Sequence, residues 1–140
     1  MNIKLKRKEK NSSNKTKSNQ EIDHLSIAYI AANTAEEKKG ENLLLLDVSK
    51  LTVLSDYFLI VTANSSAQIE AIASHLEEVL SKMNYKLISK EGIVTSNWIV
   101  LDFGNLVVHV MRQEERDYYK LERFWCNASI IDRKCWRKAS

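Results

Sequence analysis

The chain has 140 residues, of which 44% are hydrophobic and 28% are charged. This length and composition predict one domain with its own core and exclude a wholly disordered chain. No apolar run approaches the roughly 20 residues that a membrane span needs, and the two cysteines are too few for a disulfide scaffold.

The formal net charge of +3 is distributed unevenly along the chain. Residues 1–20 carry seven basic side chains and one acidic side chain, a net charge of +6. Residues 126–140 carry four basic side chains and one acidic side chain, a net charge of +3. The remaining residues, 21–125, carry ten basic and sixteen acidic side chains, a net charge of −6. An acidic body therefore lies between two basic ends.

The two ends call for separate predictions. Residues 1–22 contain too few large apolar side chains to offset the roughly 1–2 kcal/mol per residue that backbone ordering costs, so they are predicted to be a disordered basic tail. Such a tail either binds RNA phosphates electrostatically or is simply solvated. Residues 126–140 are predicted to be a basic C-terminal extension. Its apolar side chains either dock on the body or belong to a short helix: Ile130, Ile131 and Trp136.

Two helices and two strands are predicted in the first part of the body. Apolar residues at helical spacing indicate a helix over 24–39, with Asp23 as its N-cap and Gly40 after its end. The apolar run at 43–48 and the β-branched and aromatic residues at 56–63 indicate two strands. An apolar stripe then predicts an amphipathic helix over 65–83, with Ser65 and Gln68 as a capping box.

A short strand at 85–88 and a hairpin are predicted next. The hairpin strands, 97–103 and 106–111, flank Gly104-Asn105, a two-residue turn signal. Helical turns follow over 114–125. The resulting order, α-β-β-α-β-β-β-α, predicts an α/β (α+β) domain with a mixed five-stranded sheet flanked by helices.

The hairpin turn also predicts which side chains share a face. With Phe103 opposite Leu106, one face is wholly apolar and is assigned to the core: Ile99, Leu101, Phe103, Leu106, Val108 and Val110. The other face mixes apolar and polar side chains, so it is expected to be partly buried or to meet something else: Trp98, Val100, Asp102, Val107, His109 and Met111. Trp98 is either a satellite core residue or an interface anchor.

Catalytic and metal-binding interpretations find little support. Asp47, Asp56 and Asp102 lie in or beside strands, but the chain has no Asp-x-Asp pair and no glycine-rich phosphate loop, so turn or helix-start roles are favoured. His109 is favoured as a cross-strand histidine bonded to a neighbour rather than a catalytic base. Two cysteines nine residues apart, Cys126 and Cys135, predict free thiols rather than a zinc site. No metal and no cofactor are expected.

The segment QEERDYYKLERFW, residues 113–125, is unusually rich in both charge and aromatic rings. As one helix it places Arg116, Tyr119 and Arg123 on one side and Glu115, Tyr118 and Glu122 on an adjacent side. Solvated charge pairs are one interpretation. The other is an acidic and aromatic surface that docks a basic partner and continues the face that carries Trp98.

Several segments together resemble the ribosomal silencing factor family, also called the Iojap family, from Leu25 to Trp125. They are DVS (47–49), SDYF (55–58), TANSS (62–66), WIVLDFG (98–104), VVHV (107–110) and YKLERFW (119–125). The resemblance implies a ribosomal silencing factor domain over 23–125 with a nucleotidyltransferase-like shape but without the catalytic motif.

The resemblance also implies a function. Such a protein would be a non-enzymatic, cytoplasmic translation repressor that binds the large ribosomal subunit through ribosomal protein fourteen and sterically blocks joining of the two subunits, notably when nutrients are short. It would form a homodimer when free. The alternative is a nucleotidyltransferase-like or hydrolytic enzyme using Asp47, Asp102 and His109. A third interpretation is an RNA-binding module driven by the basic tails, which would contact ribosomal RNA.

The resemblance places the family's contact surface on Trp98 and on the segment through Tyr119, Leu121 and Glu122. Together with the predicted acidic and aromatic patch, the partner-binding residues are Trp98, Met111, Glu114, Glu115, Arg116, Tyr119, Leu121 and Glu122. The chain departs from the family pattern at Ala63, where many relatives have Gly, and at Arg112-Gln113, where some have His-Pro. The second departure lies at the edge of the predicted interface.

Overall fold

The computed structural model describes residues 23–92 and 97–137. The predicted basic tail, 1–22, lies outside the described residues. The helices are α1 His24–Glu37, α2 Ser66–Ser81, α3 Gln113–Tyr119, α4 Leu121–Phe124 and α5 Arg133–Trp136. The strands are β1 Glu41–Asp47, β2 Tyr57–Ala63, β3 Ser89–Glu91, β4 Trp98–Asp102, β5 Leu106–Arg112 and β6 Ser129–Ile131.

The strands form one mixed sheet in the order β3-β4-β5-β2-β1-β6. The central pair, β2 and β5, is parallel, and the other neighbouring strands are antiparallel. A parallel pair needs a crossover connection, and here α2, β3 and β4 lie between the two strands along the chain. The predicted α/β (α+β) class, with a mixed sheet and flanking helices, is confirmed. The predicted count of five strands is wrong, because β6 adds a sixth strand beside β1.

Side-chain caps begin the two long helices. Asp23 Oδ1 accepts from the Leu25 N–H at 3.1 Å, as expected of an N-cap. Ser65 Oγ accepts from the Gln68 N–H at 3.1 Å. The second half of the predicted capping box differs, since Gln68 Oε1 accepts from the N–H of Asn64, not from that of Ser65, at 2.6 Å. The cap therefore extends one residue further back along the chain.

Gly40 lies where α1 passes close to the sheet. A Cβ atom on this residue would lie 2.6 Å from Val61 Cγ1 and 2.9 Å from the carbonyl oxygen of Ala35. Its own N–H donates to that carbonyl at 2.9 Å. Glycine is therefore needed here by the close approach of helix and strand.

The hairpin has the predicted register. Phe103 N–H donates to the Leu106 carbonyl at 2.8 Å, and pairing continues outward to Trp98 opposite Met111. The predicted core face is confirmed, because its six side chains are buried beneath α1 and α2: Ile99, Leu101, Phe103, Leu106, Val108 and Val110. The other face of the sheet is covered by α3, α4 and the residues after them.

Three predicted elements differ from the structure. The strand expected at 85–88 lies at Ser89–Glu91, because Tyr85 is buried in the core and pairing with β4 begins only when the Ile88 N–H meets the Asp102 carbonyl. The second long helix ends at Ser81, and Met83 is exposed. The segment 114–125 forms helical turns, as expected, but these are two short helices rather than one, because Lys120 between them has a left-handed φ of 49°.

The end of the chain docks on the body. Ile131 lies opposite Leu45 in the β1–β6 pair, whereas Ile130 on the other face is exposed. Trp136 is 4% exposed, and its carbonyl accepts from Asn33 Nδ2 of α1 at 2.6 Å. The expectation that residues 126–140 dock on the body therefore holds for the described residues 126–137. These residues also form a short helix, α5. None of the described helices is both long and apolar enough to cross a membrane.

Candidate partner-binding surface

A row of five rings crosses the second face of the sheet. Trp125 meets Phe58 edge-on with ring centres 4.7 Å apart, and Phe58 lies 5.7 Å from His109. His109 lies 5.9 Å from Trp98, and Trp98 lies 4.9 Å from Tyr119. These separations are those of favourable aromatic packing. This ring row, Trp125-Phe58-His109-Trp98-Tyr119, connects the interior of the face with the protein surface.

Apolar side chains support the ring row from the sheet. The smaller of the two core clusters consists of Leu46, Val48, Ile60 and Met111, and Trp98, Leu121 and Trp125 pack against it. Met111 is wholly buried. Its predicted role as a contact residue therefore does not fit its position, which is beneath the surface.

Trp98 and His109 are joined by a hydrogen bond. The indole Nε1–H donates to His109 Nδ1 at 3.1 Å. An imidazole nitrogen that accepts a hydrogen bond carries no proton, so this contact corresponds to a neutral ring protonated on Nε2. The interpretation of His109 as a cross-strand histidine bonded to a neighbour is confirmed, with the neighbour diagonally across the β4–β5 pair.

Arg116 holds the covering helix to the sheet. This side chain is 7% exposed, and its Nη1 donates to the Asn42 carbonyl at 2.6 Å and to Thr62 Oγ1 at 2.8 Å. Its Nε donates to Glu122 Oε2 at 2.9 Å. Arg116 is therefore a structural anchor within the predicted site, not an exposed contact residue.

The turn between α3 and α4 determines which rings face outward. Lys120 adopts the left-handed conformation, and its N–H caps α3 by donating to the Arg116 carbonyl at 3.0 Å. After this turn Leu121 points inward, while the large side chains on either side remain outside. Tyr118 is 78% exposed, Phe124 is 77% exposed and Tyr119 is 48% exposed. The rings of Tyr118 and Tyr119 meet edge-on at 4.9 Å.

The carboxylates of the predicted site differ in their surroundings. Glu114 is largely exposed and lies 3.5 Å from Arg112. Glu115 is half-buried: one oxygen accepts weakly from Asn97 Nδ2 at 3.4 Å, and the other is buried with no hydrogen-bond partner among the described residues. Glu122 pairs with Arg116. Glu114, and the exposed Asp117 beside it, are thus the carboxylates most accessible to a basic partner.

The structure thus brings five of the eight predicted contact residues to the surface or its edge, turns the partly buried Leu121 inward, and places Met111 and Arg116 inside. Tyr118 and Phe124 are missing from the predicted set although they are the most exposed rings. A single helix through 114–125 would point the side chains after Lys120 in directions that differ from those observed. The helical pattern therefore could not identify Phe124 as an exposed ring. The pair of adjacent tyrosines was the available signal for Tyr118.

The candidate catalytic carboxylates accept hydrogen bonds that stabilise the fold. Asp47 Oδ1 accepts from the N–H and hydroxyl of Ser49, and Asp102 Oδ1 accepts from the Gly104 N–H at 2.8 Å. Asp56 Oδ2 accepts from Asn105 Nδ2 at 2.6 Å. The favoured turn roles are confirmed for Asp47 and Asp102, whereas Asp56 bonds a side chain that is distant in sequence. Within 23–92 and 97–137, no group of three or more potential ligands could hold a metal ion, and both cysteines are exposed thiols.

One titratable ring borders these turns. Tyr57 lies at the start of β2, and its pKa is raised, chiefly by burial and further by the negative charges of Asp47 and Asp56. Burial and the neighbouring carboxylates thus both favour the neutral phenol over the phenolate.

A mixed sheet with helices on both faces, carrying an exposed aromatic and acidic surface, defines a small α/β domain with a candidate protein-binding surface. The family model described as "Ribosomal silencing factor during starvation" matches residues 6–139, and the chain belongs to this family. The match extends beyond the resemblance seen from Leu25 to Trp125.

Known proteins agree with this assignment. The chain is similar to the ribosomal silencing factor RsfS of Bacillus subtilis, with 36% identity over 79% of this chain and 94% of that protein. It is 38% identical to the chloroplastic protein Iojap of Zea mays over 77% of this chain and 47% of the maize protein. A crystal structure of a Chromobacterium violaceum protein has a TM-score of 0.72 and 33% identity, covering 74% of this chain and 87% of that one.

Proposed function

We propose that this protein binds the large ribosomal subunit through ribosomal protein fourteen and represses translation by blocking the joining of the two subunits. Family membership supports a ribosome-associated silencing role. The observation that carries the specific proposal is the pair of exposed tyrosines, Tyr118 and Tyr119, supported from beneath by the ring row.

The composition of this surface suits a basic protein partner. Tyrosine and tryptophan are enriched among the few residues that dominate binding energy at protein interfaces, because they bury large areas with few rotatable bonds. Glu114 and Asp117, exposed next to the tyrosines, add negative charge that favours a partner rich in lysine and arginine. The net charge of −6 over residues 21–125 acts in the same direction at longer range.

Occupation of the partner's surface is sufficient for this function, so no catalytic step is required. The structural hydrogen bonds that Asp47, Asp56 and Asp102 accept favour this non-enzymatic mechanism over the nucleotidyltransferase-like or hydrolytic alternative. The proposed site of action is the cytoplasm.

The basic ends extend the proposal to ribosomal RNA. Seven basic side chains in residues 1–20 can neutralise phosphates close to the docked protein. Deleting residues 1–22 should then reduce the salt dependence of binding to the large subunit, because fewer counterions are released. An unchanged salt dependence would show that residues 1–22 contact no RNA and remove the N-terminal tail from the proposal.

The test is a subunit-joining assay with purified ribosomal subunits, followed by sedimentation. Wild-type protein should prevent joining. Tyr119→Ala should weaken binding to the large subunit about 30-fold, the loss typical of an interface hot spot of about 2 kcal/mol. Met83→Ala is the matched control, because Met83 is also an exposed large apolar residue but follows α2 on the opposite face. Equal inhibition by folded Tyr119→Ala and wild type would refute the proposed surface.

A further inference from the structure

We infer that His109 is a positioning residue: its hydrogen bond orients the Trp98 ring and, through that ring, Tyr119 for partner binding. This inference rests on the proposed function, and its partner is the same basic ribosomal protein. His109 is 9% exposed and lies below the surface, so it is not itself a contact residue of the docking surface. The inference gives this buried imidazole a role in binding.

The hydrogen bond defines the direction of the indole ring. Indole has one N–H, on one edge of a flat ring, and in Trp98 this edge faces His109 with Nε1 3.1 Å from Nδ1. Turning the ring over would take the N–H away from its acceptor in a half-buried setting, where an unmade hydrogen bond is costly. The acceptor therefore selects one ring orientation among those that packing permits.

That orientation is passed on to the exposed tyrosine. The Trp98 ring contacts both His109 and Tyr119, with ring centres 5.9 Å and 4.9 Å apart, and the Tyr119 ring is inclined to it by 50°. Tyr119 is the last residue of α3, and the chain reverses its conformation at Lys120 immediately after it. Since the helix does not continue past Tyr119, its ring contacts with Trp98 and Tyr118 help to determine where this tyrosine points.

His109 is itself held firmly. It lies on β5, between β4 and the parallel strand β2, with Val100 and Ile60 as its strand partners. The Phe58 ring packs against the imidazole as well, with ring centres 5.7 Å apart. A residue fixed in this way can hold a surface ring in its binding orientation without touching the partner. Such preorganisation lowers the entropy that the ring loses on binding.

A double-mutant cycle tests the inference. His109→Leu keeps a side chain of similar size but removes the acceptor, and it should weaken binding to purified large subunits about 10-fold, the effect of a lost hydrogen bond. In a Trp98→Phe background, which has no N–H to direct, the same change should weaken binding less than about 2-fold. His109→Asn should recover most of the affinity lost in His109→Leu, because its Oδ1 can accept in place of Nδ1. Equal losses in the two backgrounds would overturn the inference.

A spectroscopic measurement separates this inference from the proposed function. The Trp98 indole N–H resonance, identified by its loss in Trp98→Phe, should shift and exchange faster with water in His109→Leu, and return towards its wild-type position in His109→Asn. His75→Leu, on α2 at the opposite face, is the control and should leave it unchanged. A resonance that His109→Leu does not move overturns the positioning role. Failure of wild-type protein to bind large subunits refutes the proposed function instead.

Discussion

Arg116 and Glu122 face each other across the left-handed turn at Lys120, with Nε and Oε2 2.9 Å apart. The same guanidinium reaches the carbonyl of Asn42 in β1 and the hydroxyl of Thr62 in β2. One buried side chain thus connects two short helices with two strands. The position of the exposed tyrosines depends on this connection, because α3 is too short to be stable alone.

Replacing this anchor should destabilise the protein. Arg116→Ala leaves the Asn42 carbonyl and the Thr62 hydroxyl without their donor and Glu122 without its cation, and we expect a loss of about 2 kcal/mol in the free energy of unfolding. Urea unfolding followed by circular dichroism measures it. Arg123→Ala, an exposed arginine on the adjacent helix, should change stability by less than about 0.5 kcal/mol. Similar losses in both variants would contradict the assigned role of Arg116.

Glycine at the turn should stabilise the protein. A left-handed backbone costs a residue with a Cβ atom roughly 1–2 kcal/mol, part of which is offset because glycine loses more entropy on folding. Lys120→Gly should therefore raise the free energy of unfolding by about 0.5–1 kcal/mol. Lys120→Ala is the control and should bring no such gain. A gain in the alanine variant would show that the lysine side chain, rather than the backbone, is unfavourable.

Trp98→Ala should affect both binding and stability. Trp98 packs against the cluster containing Met111 and donates to His109, so its removal should cost about 2 kcal/mol of stability and abolish inhibition of subunit joining. From the sequence alone, only the second effect is expected. Chemical denaturation and the subunit-joining assay measure the two effects separately. Unchanged stability would mean that the indole contributes little to this face of the fold.

Alkaline stability should depend on Tyr57. Burial and the neighbouring carboxylates raise the pKa of this phenol in the folded protein, so the unfolded chain releases the proton first as the pH rises. The stabilising contribution is therefore present below pH about 10, the ordinary tyrosine pKa, and is lost as the pH rises above it. Tyr57→Phe should show a smaller fall in Tm than wild type between about pH 9 and pH 11. An identical fall in both proteins would contradict the assignment.

Regular patterns made much of this fold predictable. The strand period of two and the Gly104-Asn105 turn determine the hairpin register, and with it the assignment of Trp98 and His109 to one face. The helical stripes likewise predict α1 and α2. In each case the local sequence and the tertiary packing favour the same structure, so local reasoning is sufficient.

The features that were missed depend on distant contacts. A lysine gives no local signal for the left-handed turn at Lys120; the ion pair of Arg116 with Glu122 and the burial of Leu121 accompany it. Strand β6 has three residues and exists because β1 offers it an unpaired edge. The burial of Met111 and Arg116 depends on where the chain returns after Lys120. None of these contacts follows from residue spacing within a segment.

The central position of β5 has a consequence for synthesis of the chain. This strand pairs with β2, which is made much earlier, and with β4. A nascent chain that ends before Leu106 therefore lacks the strand that joins the two halves of the sheet, and it exposes the apolar faces of α1, β1 and β2. Pairings between residues so far apart in sequence form slowly. Folding of this domain must therefore wait until most of the chain has left the ribosome that makes it.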